Sequence, residues 1–347
     1  MEKSFENILS EHRARYPRME AQDCAKLAFQ SEFGPAHLVS DPEAAARDLR
    51  REWESLSPDA TARGPEDIGD GLCRFHLNSG TDVALAAPLL AQLFALTAQA
   101  HRGTPEGLHE KLACCETAET KHWFDDYRAR GCPAVHHSAA FRQTYAPHYR
   151  LVLTEHAQYF PVLLRIAALC REQTHVLIAI DGRCGSGKTG LAALIARLFP
   201  CNVFHMDDYY LPLDRRAPDW ELRPAGNMDL ARFRDEVLRP AQAGSPVFYT
   251  AYDCQSGTTR APVRFPPRPL TVIEGSYSHH PALDVGYDLK IFLTCPPDEQ
   301  NRRLRAREGG YFPMFQSRWI PMEERYFARC GLPAPDTLVL DTDGLFR

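Results

Sequence analysis

The sequence predicts two parts in series: a mainly helical domain over residues 1–153, then an α/β domain over 154–347 with a mostly parallel sheet flanked by helices. Three observations predict it. Apolar strand-like runs alternate with helical segments from Val176 onward. A glycine-rich turn, residues 182–189, stands directly between one such run and a helix. The first half instead carries helical periodicity punctuated by cap signals.

In chain order, Met19–Phe33 has apolar residues at helical spacing and stops at Gly34-Pro35. Asp41-Pro42-Glu43 and Thr104-Pro105-Glu106 each pair a capping residue with a proline at the first helical position, and Asp82–His101 gives a third helix. Gly71–Leu77 alternates as a short strand. A helix over 154–173 links the two domains. Beyond it, strands are expected at Val176–Ile180, Cys201–His205, Leu270–Ile273, Leu289–Leu293 and Thr337–Leu340. Helices are expected at Lys188–Leu198, Leu230–Gln242, Asp298–Glu308 and Glu323–Cys330.

Gly182-Arg183-Cys184-Gly185-Ser186-Gly187-Lys188-Thr189, followed by Gly190, has the Walker A spacing of a P-loop NTPase. Glycines let backbone N–H groups curl around phosphate oxygens, Lys188 adds a point charge, and Thr189 offers a hydroxyl to Mg²⁺. ATP and Mg²⁺ are therefore the expected cofactors. Asp207 and Asp208 lie just past the end of the Cys201–His205 strand, where ligands of such sheets bind. An acid there acts as general base toward an acceptor hydroxyl or helps hold the metal, and Asp207 is the choice for catalysis. Glu274 ends another buried strand before Gly275 and is placed, with Thr189, at the metal, through water. The Asp298–Glu308 helix carries Arg302, Arg303, Arg305 and Arg307. Shared helical faces let one or two guanidinium groups, Arg303 and Arg307 being the selected pair, close over a transferring phosphoryl.

This order of motifs, P-loop, Asp207-Asp-Tyr-Tyr210, Tyr252-Asp253, Ile273-Glu274-Gly275 and an arginine-rich helix, resembles the uridine kinase and phosphoribulokinase family of P-loop kinases over about Val176 to the C-terminus. The resemblance implies that Asp207 is the catalytic aspartate and that Tyr210 lines the acceptor site. It also implies that Asp229 holds sugar hydroxyls and that Tyr252 and Asp253 belong to the substrate motif. After Tyr252-Asp253 the chain runs Cys254-Gln-Ser-Gly257 in place of the family's pyrimidine-reading histidine, which removes the polar partner a uracil or cytosine would need. Arg318-Trp-Ile-Pro-Met-Glu323-Glu324 is shared with kinase-like members of this family.

The expected activity is thus transfer of the γ-phosphoryl of ATP to a hydroxyl of a small nucleoside- or sugar-like metabolite. A P-loop ATPase and a nucleotide-sensing regulatory protein share the same loop, although the sequence has neither an Asn-Lys-x-Asp guanine signature nor a Ser-Gly-Gly transporter signature. Composition agrees with a globular chain: 347 residues, 44% hydrophobic and 24% charged. A net charge of -5 argues against a dedicated nucleic-acid surface. No apolar stretch approaches the roughly 20 residues that cross a bilayer. The polar opening Met1-Glu-Lys-Ser-Phe-Glu6 is unlike a signal peptide, so a cytoplasmic protein without membrane partner is expected, compatible with a homo-oligomer. Eleven cysteines lack any CxxC pair and read as reduced thiols. In the first half, Glu32, His37, His136, His137, Arg142, His148 and Arg150 concentrate near helix ends, either as a second site for an anion or metal or as capping and surface residues.

Overall fold

The computed structural model describes residues 3–38, 42–57, 62–254, 256–283 and 286–344. Asp41 of the second helix cap and Gln255 of the substrate motif lie outside the described residues. The chain forms two compact units that divide at residue 164, within a helix over Thr154–Glu172.

The first unit contains α1 (Phe5–Arg15), α2 (Ala21–Phe33), α3 (Pro42–Glu54), β1 (Glu66–Gly69), β2 (Leu72–His76), α4 (Val83–Ala100), α5 (Pro105–Cys115), α6 (Lys121–Ala129), α7 (Ala139–Tyr145), β3 (Tyr149–Leu153) and the start of α8 (Thr154–Glu172). Its caps work as the sequence indicates: Asp82 accepts from the Ala84 amide, and Thr104 from Gly107 with Pro105 at the first helical position. β2 falls where alternation places it, but it is the centre of an antiparallel sheet ordered β1-β2-β3. β1 and β3 escaped prediction because each is only four or five residues long, and β3 joins from far along the chain, Leu72 facing Leu153. Leu27, Ala28, Ile68, Leu72, Leu112, Phe124 and Leu151 form the core beside this sheet.

α4 corrects one sequence expectation. Its 18 residues have a mean hydropathy of 1.6, long and apolar enough by length and composition to cross a membrane. Ala86, Leu89, Leu90, Leu93 and Phe94 are nevertheless buried in the unit, and Thr97 bonds the Leu153 amide of β3.

A hydrogen-bonded chain crosses the same unit. Asp23 of α2 accepts from His137 Nδ1 at 2.8 Å and from the Ser138 amide, which fixes the tautomer and leaves Nε2 to accept from the Tyr149 hydroxyl at 2.7 Å. Gln30 donates to that hydroxyl and accepts from Arg74, whose guanidinium reaches the buried carboxylate of Glu66. Burial, reinforced by Arg74 and Lys26 and opposed by Asp23, pushes the His137 imidazole down to about 4. Its folded value lies below the unfolded one near 6.5. Stability from neutral His137 is therefore complete above that unfolded value and drains away as pH falls toward 4, by roughly 3 kcal/mol if this group acts alone. Native-state hydrogen exchange at the β2 and β3 amides, corrected for intrinsic rates, should lose protection across this window, and His137→Gln should flatten the step.

The second unit holds β4 (Val176–Gly182), α9 (Lys188–Leu198), β5 (Cys201–His205), α10 (230–242, with a π turn at Arg234–Leu238) and four short strands, β6 (Val247–Tyr249), β7 (Tyr252–Asp253), β8 (Thr258–Thr259) and β9 (Val263–Phe265). β10 (Leu270–Glu274), β11 (Leu289–Thr294), α11 (Pro297–Glu308), α12 (312–330, with a π turn at Phe315–Trp319) and β12 (Leu338–Asp341) follow. The main sheet is five-stranded and parallel, ordered β12-β11-β4-β10-β5. This is the α/β P-loop arrangement that the alternation of strands and helices predicts. β4 lies inside the sheet with every residue buried, so its apolar run reads as a strand covered on both faces. β6 pairs with β9 and β7 with β8 as two small antiparallel pairs, which the sequence did not foretell.

Candidate phosphate-binding site

Parallel register brings the chemistry to one edge of the sheet. Glu274 at the end of β10 is level with Ile180 of β4 and with His205 at the end of β5. The loop that leaves β4 therefore emerges beside both strand ends, where open α/β sheets bind ligands.

The loop takes its shape from positions only glycine tolerates. Gly182, Gly185 and Gly187 have φ of 131°, 76° and 96°. A Cβ on Gly182 would lie 2.0 Å from the Leu293 carbonyl oxygen, with no flexible atom to give way. Gly182→Ala is therefore expected to lower stability by at least about 2 kcal/mol and to abolish nucleotide binding, which calorimetric melting and an ATP titration would show together. Lys188 Nζ donates to the carbonyls of Gly182 and Arg183, bridging the loop's opening. The first turn of α9 points the amides of Lys188, Thr189 and Gly190 out of the helix without intrahelical acceptors, a ready anion site. Ser186 Oγ is buried inside the loop with no partner among the described residues.

Thr189 Oγ1 donates to Glu274 Oε1 at 3.1 Å, and His205 Nδ1 donates to Glu274 Oε2 at 2.7 Å. Burial works against the Glu274 carboxylate, but the bond from His205 and the charge of Lys188 hold it below its ordinary value. The same bond raises His205 above the usual imidazole value. His205 is the participant that sequence reading missed. Its only signal was its place as the last residue of a predicted strand, since nothing local to it announces a partner 69 residues away.

Asp207 keeps surface open to solvent while its carboxyl is crowded by neighbouring atoms. That crowding pushes it above the ordinary carboxylate range; Glu274 and Glu323 add repulsion, and Tyr210 and Lys188 oppose it. Tyr210 donates its hydroxyl to Asp207 Oδ1 at 3.0 Å. Asp208 turns the other way and accepts from Tyr249 at 2.7 Å. Asp229 caps α10 through the Arg232 amide and lies 3.7 Å from Arg215. Tyr252 and Asp253 form β7, and Asp253 is paired with Arg260.

The arginine helix takes a different position from the one its pattern suggested. Arg303 bonds Glu299, the Gly185 carbonyl and Thr342, so it braces the loop through a carbonyl. Arg307 is exposed, pairs with Glu308 and lies over Phe315. Arg302 and Arg303 together draw Glu299 down to about 2.

α12 supplies the fastening that sequence reading passed over. Glu323, buried, accepts from the Cys184 amide at 2.9 Å and from Ser276 at 2.5 Å. Glu324 pairs with Arg183, whose guanidinium also lies over Phe327, and Tyr326 donates to Asp181 Oδ2 at 2.7 Å. Asp181 in turn accepts from the Gly182 and His279 amides. Strand end, loop and α12 thus share one hydrogen-bonded frame.

The histidines and acids of the first unit do not gather into one centre. Glu32 binds Lys111 and the Thr104 amide at the start of α5, His137 binds Asp23, and His148 and Arg150 both pair with Glu52. Among the described residues, no group of three or more His, Cys, Asp or Glu is arranged to hold a metal.

No family model and no curated protein matches the chain. Among solved structures it is similar to a possible uridine kinase from Bacillus stearothermophilus, at 21% identity over 52% of this chain and 100% of that one, with a TM-score of 0.40. A protein from Silicibacter sp. TM1040, named provisionally as a fructose transport system kinase, matches at 22% identity over 50% of this chain and 97% of its own, with a TM-score of 0.41. These are uridine kinase-like and sugar kinase P-loop proteins that cover about half the chain. At such identities and TM-scores, what they act on says nothing of this chain.

Proposed function

We propose that the second unit is an ATP-dependent phosphotransferase that moves the γ-phosphoryl of ATP to a hydroxyl of a small nucleoside- or sugar-like metabolite. The observation that carries this reading is the meeting of a glycine-shaped phosphate loop, a Thr189–Glu274 oxygen pair and the raised carboxyl of Asp207 at one edge of the sheet.

In this reading Lys188 and the α9 amides hold the β- and γ-phosphates. The hydroxyl of Thr189 and the carboxylate of Glu274 are hard oxygen donors 3.1 Å apart, and such a set suits Mg²⁺. Mg²⁺, when bound, would neutralise charge on the phosphate oxygens. His205 orients Glu274. Asp207 accepts the acceptor hydroxyl's proton, and the Tyr210 O–H bond to Oδ1 leaves Oδ2 to do so. Glu323, Arg303 and Tyr326 keep the loop in shape. Most of the acceleration would come from positioning and electrostatics. Tyr210, Asp229, Tyr252 and Asp253 are proposed to meet the acceptor, and the missing pyrimidine-reading histidine argues for weak discrimination among nucleosides.

The test is a screen of hydroxylated metabolites, nucleosides and sugars included, with labelled ATP and the full chain. Label transfer to one acceptor class, with little preference for uridine, is expected. ATP hydrolysis at the same rate with every compound would favour an ATPase. Binding of ATP without turnover on any compound would favour a nucleotide sensor.

A further inference from the structure

Tyr277 stands in the turn that follows β10, just beyond Glu274, Gly275 and Ser276, and has a φ of 78°. A bulky side chain rarely adopts that left-handed conformation, and such strain persists where the surroundings impose it, chiefly at functional sites. The surroundings here are firm on both sides. Gly275 runs so close to the end of β5 that a Cβ on it would lie 2.9 Å from Met206 Cβ, next to Asp207. Ser276 donates to Glu323, which holds the Cys184 amide of the phosphate loop. The Tyr277 carbonyl accepts from the His280 amide, and its ring packs on Tyr326 with centroids 4.9 Å apart and planes at 60°.

What this frame presents is a hydroxyl. Tyr277 is 4% exposed, yet its Oη has no hydrogen-bond partner among the described residues and is not sealed from solvent. Buried polar groups are nearly always satisfied, so an open, unmade bond on a strained and otherwise buried side chain calls for a partner from outside the chain. Burial raises the Tyr277 phenol above its ordinary value, and the charges of Glu323, Asp181 and Asp207, with the Cys184 thiol, push the same way. Those carboxylates already have donors. Glu323 accepts from Cys184 and Ser276, Asp181 from Gly182, His279 and Tyr326, and Asp207 Oδ1 from Tyr210. Two tyrosines of this group thus fasten one acid each, and the third keeps its proton free. Its hydroxyl has Cys184 of the loop as one electrostatic neighbour and Asp207 and Tyr210 as others, so it faces the space between them. In the proposed transfer the phosphoryl group crosses that space.

We propose that the Tyr277 hydroxyl is a catalytic donor that hydrogen-bonds an oxygen of the γ-phosphoryl of ATP, between the loop and Asp207. The inference deepens the phosphotransferase reading and rests on it. A phosphate oxygen accepts and the protonated phenol donates, so the bond is charge-assisted. It is made to the terminal phosphoryl alone, which sets ATP apart from ADP.

The test is isothermal titration of the full chain in Mg²⁺ with two probes, ADP and the non-hydrolysable ATP analogue adenylyl imidodiphosphate, on the parent and on Tyr277→Phe. Phenylalanine keeps the ring against Tyr326 and removes only the O–H. The variant should bind the analogue about 10- to 100-fold more weakly, and ADP within about twofold of the parent. Its melting temperature should hold or rise, because the lost hydroxyl bonds nothing in the protein. Equal binding of the analogue by parent and variant would overturn the contact. So would equal weakening of both nucleotides, which marks a residue that only shapes the loop. A lower melting temperature, or loss of cooperative unfolding, would give the hydroxyl a partner within the protein and overturn the contact as well. Failure of the parent to bind either nucleotide would instead overturn the nucleotide reading on which the contact rests.

Discussion

Lys188→Ala is expected to abolish ATP-dependent phosphoryl transfer. The ammonium stands over the loop's opening, bonded to the Gly182 and Arg183 carbonyls at 2.7 and 3.0 Å, from which a small rotation carries it to a phosphate. One charge-assisted contact to phosphate is worth about 1.5–3 kcal/mol, so ATP affinity should fall about 10- to 100-fold. Charge that develops on the transferring group would also go uncompensated, and transfer should drop by about a further 10³. Stability should change less than activity, because the bonds of Lys188 stay within the loop and the adjoining last residue of β4. Isothermal titration with ATP and label transfer on the same preparation separate the two losses. Undiminished transfer would place the catalytic loop elsewhere.

Asp207→Asn should give the opposite split: ATP binding within about threefold of the parent, and transfer lower by about 10³. Asparagine keeps the shape and can still accept from Tyr210, but it cannot take a proton. The parent's pH profile carries a second signature. Crowding holds the Asp207 carboxyl above its ordinary value, so the proton-free form is reached later as pH rises, and the acid limb of kcat/KM should lie above the usual carboxylate range. Asp207→Asn should remove that limb from whatever activity remains. A variant that keeps full turnover would leave Asp207 as a loop residue and favour a sensor over a kinase.

How much of this was legible before folding depends on the range of the interaction. Strand β4, the turn and helix α9 are consecutive, so the motif from Gly182 to Thr189 reveals its conformation, and raises the expectation of a phosphate ligand, from a dozen residues. β5 and β10 announce themselves as buried runs, and their terminal acids, Asp207 and Glu274, follow from the rule that ligands meet strand ends. The arginine helix shows the limit. Spacing put Arg303 and Arg307 on a shared face, yet only packing decided that Arg303 turns to the Gly185 carbonyl and Thr342 while Arg307 stays at the surface with Glu308. Likewise the histidines near helix ends of the first half were open to two readings, a second site or capping and surface residues, and folding gives His137 and His148 separate acidic partners, Asp23 and Glu52.

By itself the sequence determined the order of the five main strands and the helices of the second unit, the glycine-rich loop and the acids near its strand ends, because each depends on residues close together in the chain. The tertiary structure alone decided that His205 sits against Glu274, that Glu323 grips the Cys184 amide, and that α4, apolar enough to enter a bilayer, buries its face in the unit that holds β1, β2 and β3. Those outcomes are set by parallel register and by which surfaces meet. Register and packing are properties of residue pairs tens to more than a hundred positions apart, and no local pattern encodes them.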